Sequence, residues 1–501
     1  MATHTTAMPA PAREAEIPPR ASKLPTWLRW HEPGTSKQEK RLIAKLDWFL
    51  LSYSCLCFFM KQLDSNNVSN AYVSGMKEDL GFGPGNELSW MNTYFNIGQI
   101  LGGPIANLII TVVRPKYWLP ACLLGWSLFV LFLFKCNTAP QFYGLRFCVG
   151  LFESAASPGI HYVLGCWYRK SELGRRSALF VISGVLGQMF SGYLQSALFA
   201  GMEGKGGMPA WRWLFIFDFI LSVPIAIYGI FCFPDTPHTT NAWYLNEWER
   251  KRVVERIEEE GRKPIGKMDR TVLRRILSSW QLYAFSLAWI FWSLTCGSYI
   301  MQFFGLWLKA EGYSVVNINN IPTILGAVNF VFMLTSGYAA DIIGSRVPVT
   351  AFVGCCLTFC YIIFAIWDVP SGLKMVAFCL TGCYGCFSPL LYGWVNSTCG
   401  GDQQLRAFTL AWMTSIGLAL VTPFQLHLFP SSEAPAYAKT HGYDAALVFV
   451  ICLTIWCSAG LWFVQRAVAK RELIRAGESD DEANTSVDAG VEVDVHVDSK
   501  Q

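Results

Sequence analysis

The strongest constraint on this chain is a recurrence of apolar runs, each close to the ~20 residues that a helix needs to cross hydrocarbon. They lie at 46–66, 89–112, 117–135, 141–163, 177–199 and 212–233, then at 281–304, 321–340, 347–367, 374–396, 407–429 and 445–465. Backbone polar groups inside a bilayer must find partners within the protein, so runs of this kind become helices. Six and six, divided by a polar stretch, predict an all-α polytopic membrane protein with twelve transmembrane helices in two six-helix halves. The expected organisation is a disordered cytoplasmic tail over 1–44, a first half over 45–233, a linker over 234–279, a second half over 280–468 and an acidic disordered tail over 469–501.

Charge agrees with this. Only 15% of residues are charged, where a soluble protein carries about 25%. Basic residues gather in the first tail, in Arg169–Lys170 and Arg175–Arg176, and in the linker from Arg250 to Arg275. The alternate loops are sparse in lysine and arginine, so both termini and the linker are expected in the cytoplasm, and the plasma membrane is the expected site. Aspartates and glutamates interleave with the basic clusters, which argues against nucleic-acid binding. The first 40 residues lack an apolar core, and no cleavable signal peptide is expected. Leu245 to Gly261 reads as a charged helix carrying Trp248, Val253, Val254 and Ile257, suited to the membrane surface. Cys383 and Cys386 have paired spacing but no second pair to complete a zinc site. No metal or cofactor is expected, and without a nucleophile–base pair or phosphate loop the chain is not expected to be an enzyme.

Charge inside an apolar run costs about 2.5–3.5 kcal/mol per residue and marks function more often than packing. Arg146 and Glu153 stand seven positions apart in the fourth run and share one helix face. A cation able to hold an anion and a carboxyl able to take a proton on one wall point to a proton-coupled transporter; a static ion pair between them is the alternative. In the first run Lys61 and Asp64 are also one turn apart, and Lys61 either faces the substrate path or snorkels outward. Asp64 and Glu153 are the candidate proton carriers, and Arg146 and Lys61 the candidate anion contacts. Asn92, Asn96, His161, Gln302, Trp394 and Asn396 are further candidates for substrate contact, with Gln99 and Asn329 behind them. Interhelical hydrogen bonding is the alternative for each. Small residues at Ser183, Gly187 and Ser191, and at Gly98 and Gly102, predict helix-packing faces. Asn67-Val-Ser69 fits a glycosylation pattern. Ser479-Asp-Asp-Glu482 has the form of an acid-directed kinase site, against a plain solvated tail.

The halves also rhyme. Gly337-Tyr-Ala-Ala-Asp341-Ile-Ile-Gly344-Ser-Arg346 follows the eighth run, and Gly103-Pro-Ile-Ala-Asn107 with Arg114 follows the second. The first of these resembles a signature of the major facilitator superfamily. Arg146-Phe-x-x-Gly150-x-x-Glu153, Pro158-Gly159, Trp167-Tyr168 and Glu172-x-Gly174-x-Arg176 resemble its anion:cation symporter branch. Ser69 to Leu80, His161 to Tyr168 and Trp211 to Asp218 are similar to fungal pantothenate transporters. The resemblance implies alternating access in a monomer, with pantothenate or a related small carboxylate imported together with protons. It also implies cytoplasmic gate contacts at Asn107, Arg114, Asp341 and Arg346. The branch commonly carries an arginine directly after the first-run aspartate; here that position is Ser65, with Lys61 one turn earlier. Export of a secondary metabolite is the alternative within the fold, and a nutrient sensor without transport is a third.

Overall fold

The computed structural model describes residues 35–83, 85–259, 270–343, 345–399, 402–461, 463 and 466. The two expected tails beyond these, the kinase pattern at Ser479 and part of the linker lie outside the described residues. Among the described residues, ten helical segments are long and apolar enough to cross a membrane. In chain order, the spans of the first half are Lys37–Asp79, Glu87–Val112, Pro115–Lys135, a fourth in two pieces, Lys170–Met202 and Ala210–Cys232. The second half follows with Trp280–Ala310, Val315–Ala340, Val347–Ile366, Ser371–Thr398, Gln404–Leu428 and Gly442–Gly460. The second and fourth spans complete the twelve.

The fourth span explains its own absence from the ten. It consists of Ala139–Glu153 and Ala156–Trp167, separated at Ser154 and Ala155, so neither piece reaches full length. Thr138 and Gln141 form a capping box at its start, satisfying amide groups that would otherwise lack partners. Its approach to the second span requires glycine. A Cβ on Gly98 would lie 2.2 Å from the Phe147 carbonyl oxygen, and one on Gly150 would lie 2.1 Å from that of Phe95. The second small-residue face packs the fifth span on the first: Ser183 Oγ donates to the Cys55 carbonyl at 3.0 Å, and a Cβ on Gly187 would meet the Phe59 carbonyl at 2.3 Å. Removing side chains lets the backbones touch, which is how helices associate where no hydrophobic effect separates helix from lipid.

Residues 37–44, expected in the disordered tail, are helical. Ser36 caps the first turn through its side chain, and Glu39, Leu42 and Ile43 are buried. The helix is held from the linker side of the first half. Its Glu39 carboxylate meets Arg256 at 2.7 Å, and its Lys45 meets Glu249 at 2.8 Å. Both partners belong to the linker helix Glu247–Glu258, which Asn246 caps. Arg256 also reaches Glu172 at 2.5 Å, and its side chain is buried, as is Val253. The linker helix therefore turns its buried face to the first half. Beside it Arg176 forks onto Asp47 with bonds of 2.6 and 2.9 Å, and the Tyr168 hydroxyl donates to Asp47 at 2.9 Å. Bidentate geometry and the Tyr168 ring 4.5 Å beneath the guanidinium give this buried cation its compensation.

A charged cluster between two halves

The contacts that join the two halves concentrate on the side away from the linker. Gln302 Oε1 accepts from Asn92 Nδ2 at 2.8 Å and from Ser69 Oγ at 3.2 Å. Asn96 Nδ2 donates to the Tyr299 hydroxyl at 2.6 Å, and Asn319 Nδ2 donates to Ser74 Oγ at 2.8 Å. Lys309 pairs with Glu78 at 2.7 Å, and Ser431 and Ser432 bind the loop before the second span through Gly85 and Asn86. Gly192 sits against the Asn319 carbonyl, where a Cβ would be 2.4 Å away. The amides of Asn92, Asn96 and Gln302, singled out as substrate contacts, thus close the far side in this conformation.

Behind that seam lies the charged cluster. Glu153 is 0% exposed at the end of the first piece of the fourth span. Its Oε1 accepts from Gln99 Nε2 at 3.2 Å and Ser65 Oγ at 3.3 Å, with Lys61 Nζ at 3.9 Å. Its Oε2 is buried without a partner. Lys61 therefore points inward from the first span rather than snorkelling to the surface. Arg146 is 1% exposed; it makes no ion pair with Glu153, and its guanidinium lies over the Phe95 ring at 4.1 Å. Nε and Nη1 of Arg146 donate to no partner. The expected alternative of a static Arg146–Glu153 bridge is thereby corrected. Seven residues bring the two onto one face, but Glu153 takes its hydrogen bonds from the first and second spans.

Asp64, 2% exposed, accepts from Trp126 Nε1 at 2.8 Å. Asp218 of the sixth span is a second buried acid, 1% exposed, and accepts from Asn67 Nδ2 of the first span at 2.8 Å. Sequence reasoning passed over Asp218, although an acid inside an apolar run was the very signal that singled out Asp64. Asn67 is buried in the first span and bound to Asp218 and Ser191. That corrects the expected glycosylation site, because an acceptor asparagine must be open to solvent.

The other candidates separate. His161 is exposed; its Nδ1 meets the Ser157 carbonyl at 2.9 Å and its ring meets Phe180 edge-on at 4.9 Å. Trp394 is buried edge-on against Phe285 at 6.3 Å, and Asn396 is exposed near the linker-side end of the tenth span; neither joins the cluster. Asn329 is buried against Gly385. The second half carries an aromatic group unmarked by the sequence reading, which reaches the first half at Tyr299. Trp292 and Tyr384 stack at 5.2 Å, Trp292 Nε1 donates to the Tyr384 carbonyl, and Tyr299 carries the group to Asn96. Of the gate residues, the side chains of Asn107 and Asp341 lie outside the described residues. Arg114 pairs with Asp235 at 3.5 Å, a partner the expected Asn107–Arg114 brace did not include, and Arg346 donates to Ser397 Oγ at 3.0 Å.

Comparison with known proteins places this geometry. Residues 54–422 match the sequence profile of the Major Facilitator Superfamily. The MFS transporter PfmaC of Pestalotiopsis fici is 67% identical over 461 residues, covering 92% of this chain and 87% of that protein. The pantothenate transporter liz1 of Schizosaccharomyces pombe is 34% identical over 409 residues, covering 81% and 79%. A proton:xylose symporter solved with 6-bromo-6-deoxy-D-glucose superposes with a TM-score of 0.63 at 14% identity, covering 84% of this chain and 96% of that one. Twelve helices in two halves, closed on one side over a buried charged cluster, are thus the work of a membrane transporter of small molecules, and the chain belongs to the Major Facilitator Superfamily.

Proposed function

We propose that the chain imports a small carboxylate together with protons, and that pantothenate or a close relative is the substrate. The observation that carries this is Arg146: a fully buried guanidinium with two nitrogens lacking acceptors, beside a buried carboxyl that a second cation approaches. Guanidinium binds carboxylate in bidentate fashion, and hydrogen bonds to charged groups contribute about 1.5–3 kcal/mol. Trp292, Tyr384 and Tyr299 supply an aromatic surface for the organic body of such an acid. The similarity to liz1 supports pantothenate within that class.

Glu153 is the proton carrier in this reading. Its Oε1 has donors and its Oε2 has none, so a proton on Oε2 neutralises the carboxyl without disturbing the bonds already made. With the linker and termini in the cytoplasm of a plasma-membrane monomer, the closed seam lies outside and the conformation is inward-facing. Charge balance limits the coupling. One proton with one monoanion moves no net charge, so only the pH gradient drives uptake, at about 1.4 kcal/mol per unit. A second proton adds about 1.4 kcal/mol more per pH unit and about 2.3 kcal/mol per 100 mV of membrane potential.

Uptake of labelled pantothenate by a yeast lacking its own carrier tests the proposal. Uptake at acid pH that collapses with a protonophore is expected. No uptake with the protein at the cell surface would overturn pantothenate import, and faster loss of a preloaded compound would point to export.

A further inference from the structure

We infer that a groove between the first and fifth spans holds an anionic glycerophospholipid, with one acyl chain in the groove and the phosphate among the cations at its linker-side end. The site is independent of which substrate is carried and of any coupling to protons.

The groove has a volume of about 490 Å³, and Ala44, Trp48 and Leu51 of the first span face Leu179, Ile182 and Leu186 of the fifth across it. Its hydroxyls are satisfied within the protein: Ser52 meets the Tyr228 hydroxyl at 2.8 Å, and Ser183 donates to the Cys55 carbonyl at 3.0 Å. The acid among its lining residues, Asp47, is held by the Arg176 fork, so it sets no uncompensated negative charge against an anion. What remains is a hydrocarbon surface, on which Leu179, Leu186 and Trp48 are 43%, 46% and 72% exposed. From Ala44 to Cys55, both on its wall, the first span rises about 16 Å, close to half the ~30 Å hydrocarbon core and so the depth of one leaflet. That is the reach of an acyl chain whose headgroup stays at the linker-side surface.

Charge at that surface selects the headgroup. Lys37, Arg41 and Ala44 are spaced four and three apart, and Lys40 precedes Ala44 by one turn, so three cations lie on the groove's side of the helix Lys37–Leu46. All three are exposed, and among the described residues none makes an ion pair. The opposite side carries the buried Glu39, Leu42, Ile43 and Leu46, and Arg256 of the linker helix holds it there. The Asp47–Arg176 fork sets the two spans level, and Arg175, one turn before Leu179, adds a fourth cation at the same end. Trp48 stands between cations and hydrocarbon, where indole suits the interface. A basic pocket between spans at the membrane surface is the form that sites for anionic headgroups take. A soluble anion would use the cations and leave the groove empty; a neutral lipid would use the groove and leave the cations without a partner.

The test is native mass spectrometry of the full chain in detergent, titrated with phosphatidylserine and with phosphatidylcholine of the same acyl chains. A phosphatidylserine adduct is expected to form at lower lipid concentration than any phosphatidylcholine adduct. Lys40→Ala combined with Arg41→Ala changes two exposed side chains and should weaken that adduct about thirtyfold, at about fivefold per charge, with phosphatidylcholine unaffected. Ala44→Phe fills the groove with the cations intact and should weaken it as well. Equal binding of the two lipids, or a loss under threefold in the double variant, would overturn the anionic site. Loss in the double variant but not in Ala44→Phe would overturn the seating of a chain in the groove. Thermal unfolding adds the remaining arm: stabilisation by inorganic phosphate equal to that by phosphatidylserine would overturn the lipid in favour of a free anion.

Discussion

Replacing Gln302 with alanine removes the acceptor that joins Asn92 and Ser69 of the first half to the second. Interhelical hydrogen bonds in membranes contribute about 0.6 kcal/mol each on average. Two of them amount to about 1.2 kcal/mol, which is about an eightfold shift in the ratio of far-side-open to far-side-closed protein. Opening hydrates Asn92 and Ser69, so their loss of an acceptor falls on the closed state alone. A cysteine at Asn66, which lines the small cavity beneath the seam, reports the open population. In sealed vesicles, an impermeant thiol reagent on the far side modifies it only while the halves are parted. The modification rate should rise about eightfold in Gln302→Ala over the same reporter with Gln302 intact. A rate unchanged within twofold, in a variant that folds, would refute the assignment of this seam as the far gate.

Four further outcomes follow from the same geometry. Gly150→Ala should destabilise the protein by about 1–3 kcal/mol, the range for overpacking, because its Cβ meets the Phe95 carbonyl; thermal unfolding followed by size-exclusion chromatography reads this. Arg256→Ala leaves Glu172 buried without its cation, a loss of about 3–5 kcal/mol for such pairs, and should free the linker helix to limited proteolysis at unchanged surface expression. Arg146→Lys keeps the charge but not the fork, so substrate KM should rise about tenfold or more while the protein remains folded. Glu153→Gln keeps the bond from Ser65 and should retain substrate exchange while abolishing substrate-driven proton uptake.

Several features were legible because hydrocarbon is an unforgiving solvent. Helix number and the division into halves follow from run length alone. Arg146, Glu153 and Asp64 stood out because charge in an apolar run has few neutral explanations. Small-residue spacing pointed to the faces on which Gly98 and Gly187 meet neighbouring backbones. Pairing was a different matter. Lys61 and Asp64 looked like partners one turn apart, yet Lys61 faces Glu153 and Asp64 accepts from Trp126 of the third span, since spans far apart in sequence decide which groups share a space. The fit of Asn67 to a glycosylation pattern carries no information about depth, and a buried amide satisfied by Asp218 and Ser191 matches it equally well. Roles of Asn92, Asn96 and Gln302 depend on conformation. The same amides close the seam in one state and are free to meet substrate in another, which no linear pattern distinguishes.

The central claim is that a proton gradient drives substrate through the site around Glu153 and Arg146. Its most direct test is the accumulation of labelled pantothenate in proteoliposomes with an imposed pH difference, inside alkaline. Coupling to one proton predicts about tenfold accumulation per pH unit, abolished in Glu153→Gln while exchange persists. Equal concentrations on both sides at every pH difference, in vesicles that do exchange pantothenate, would contradict it.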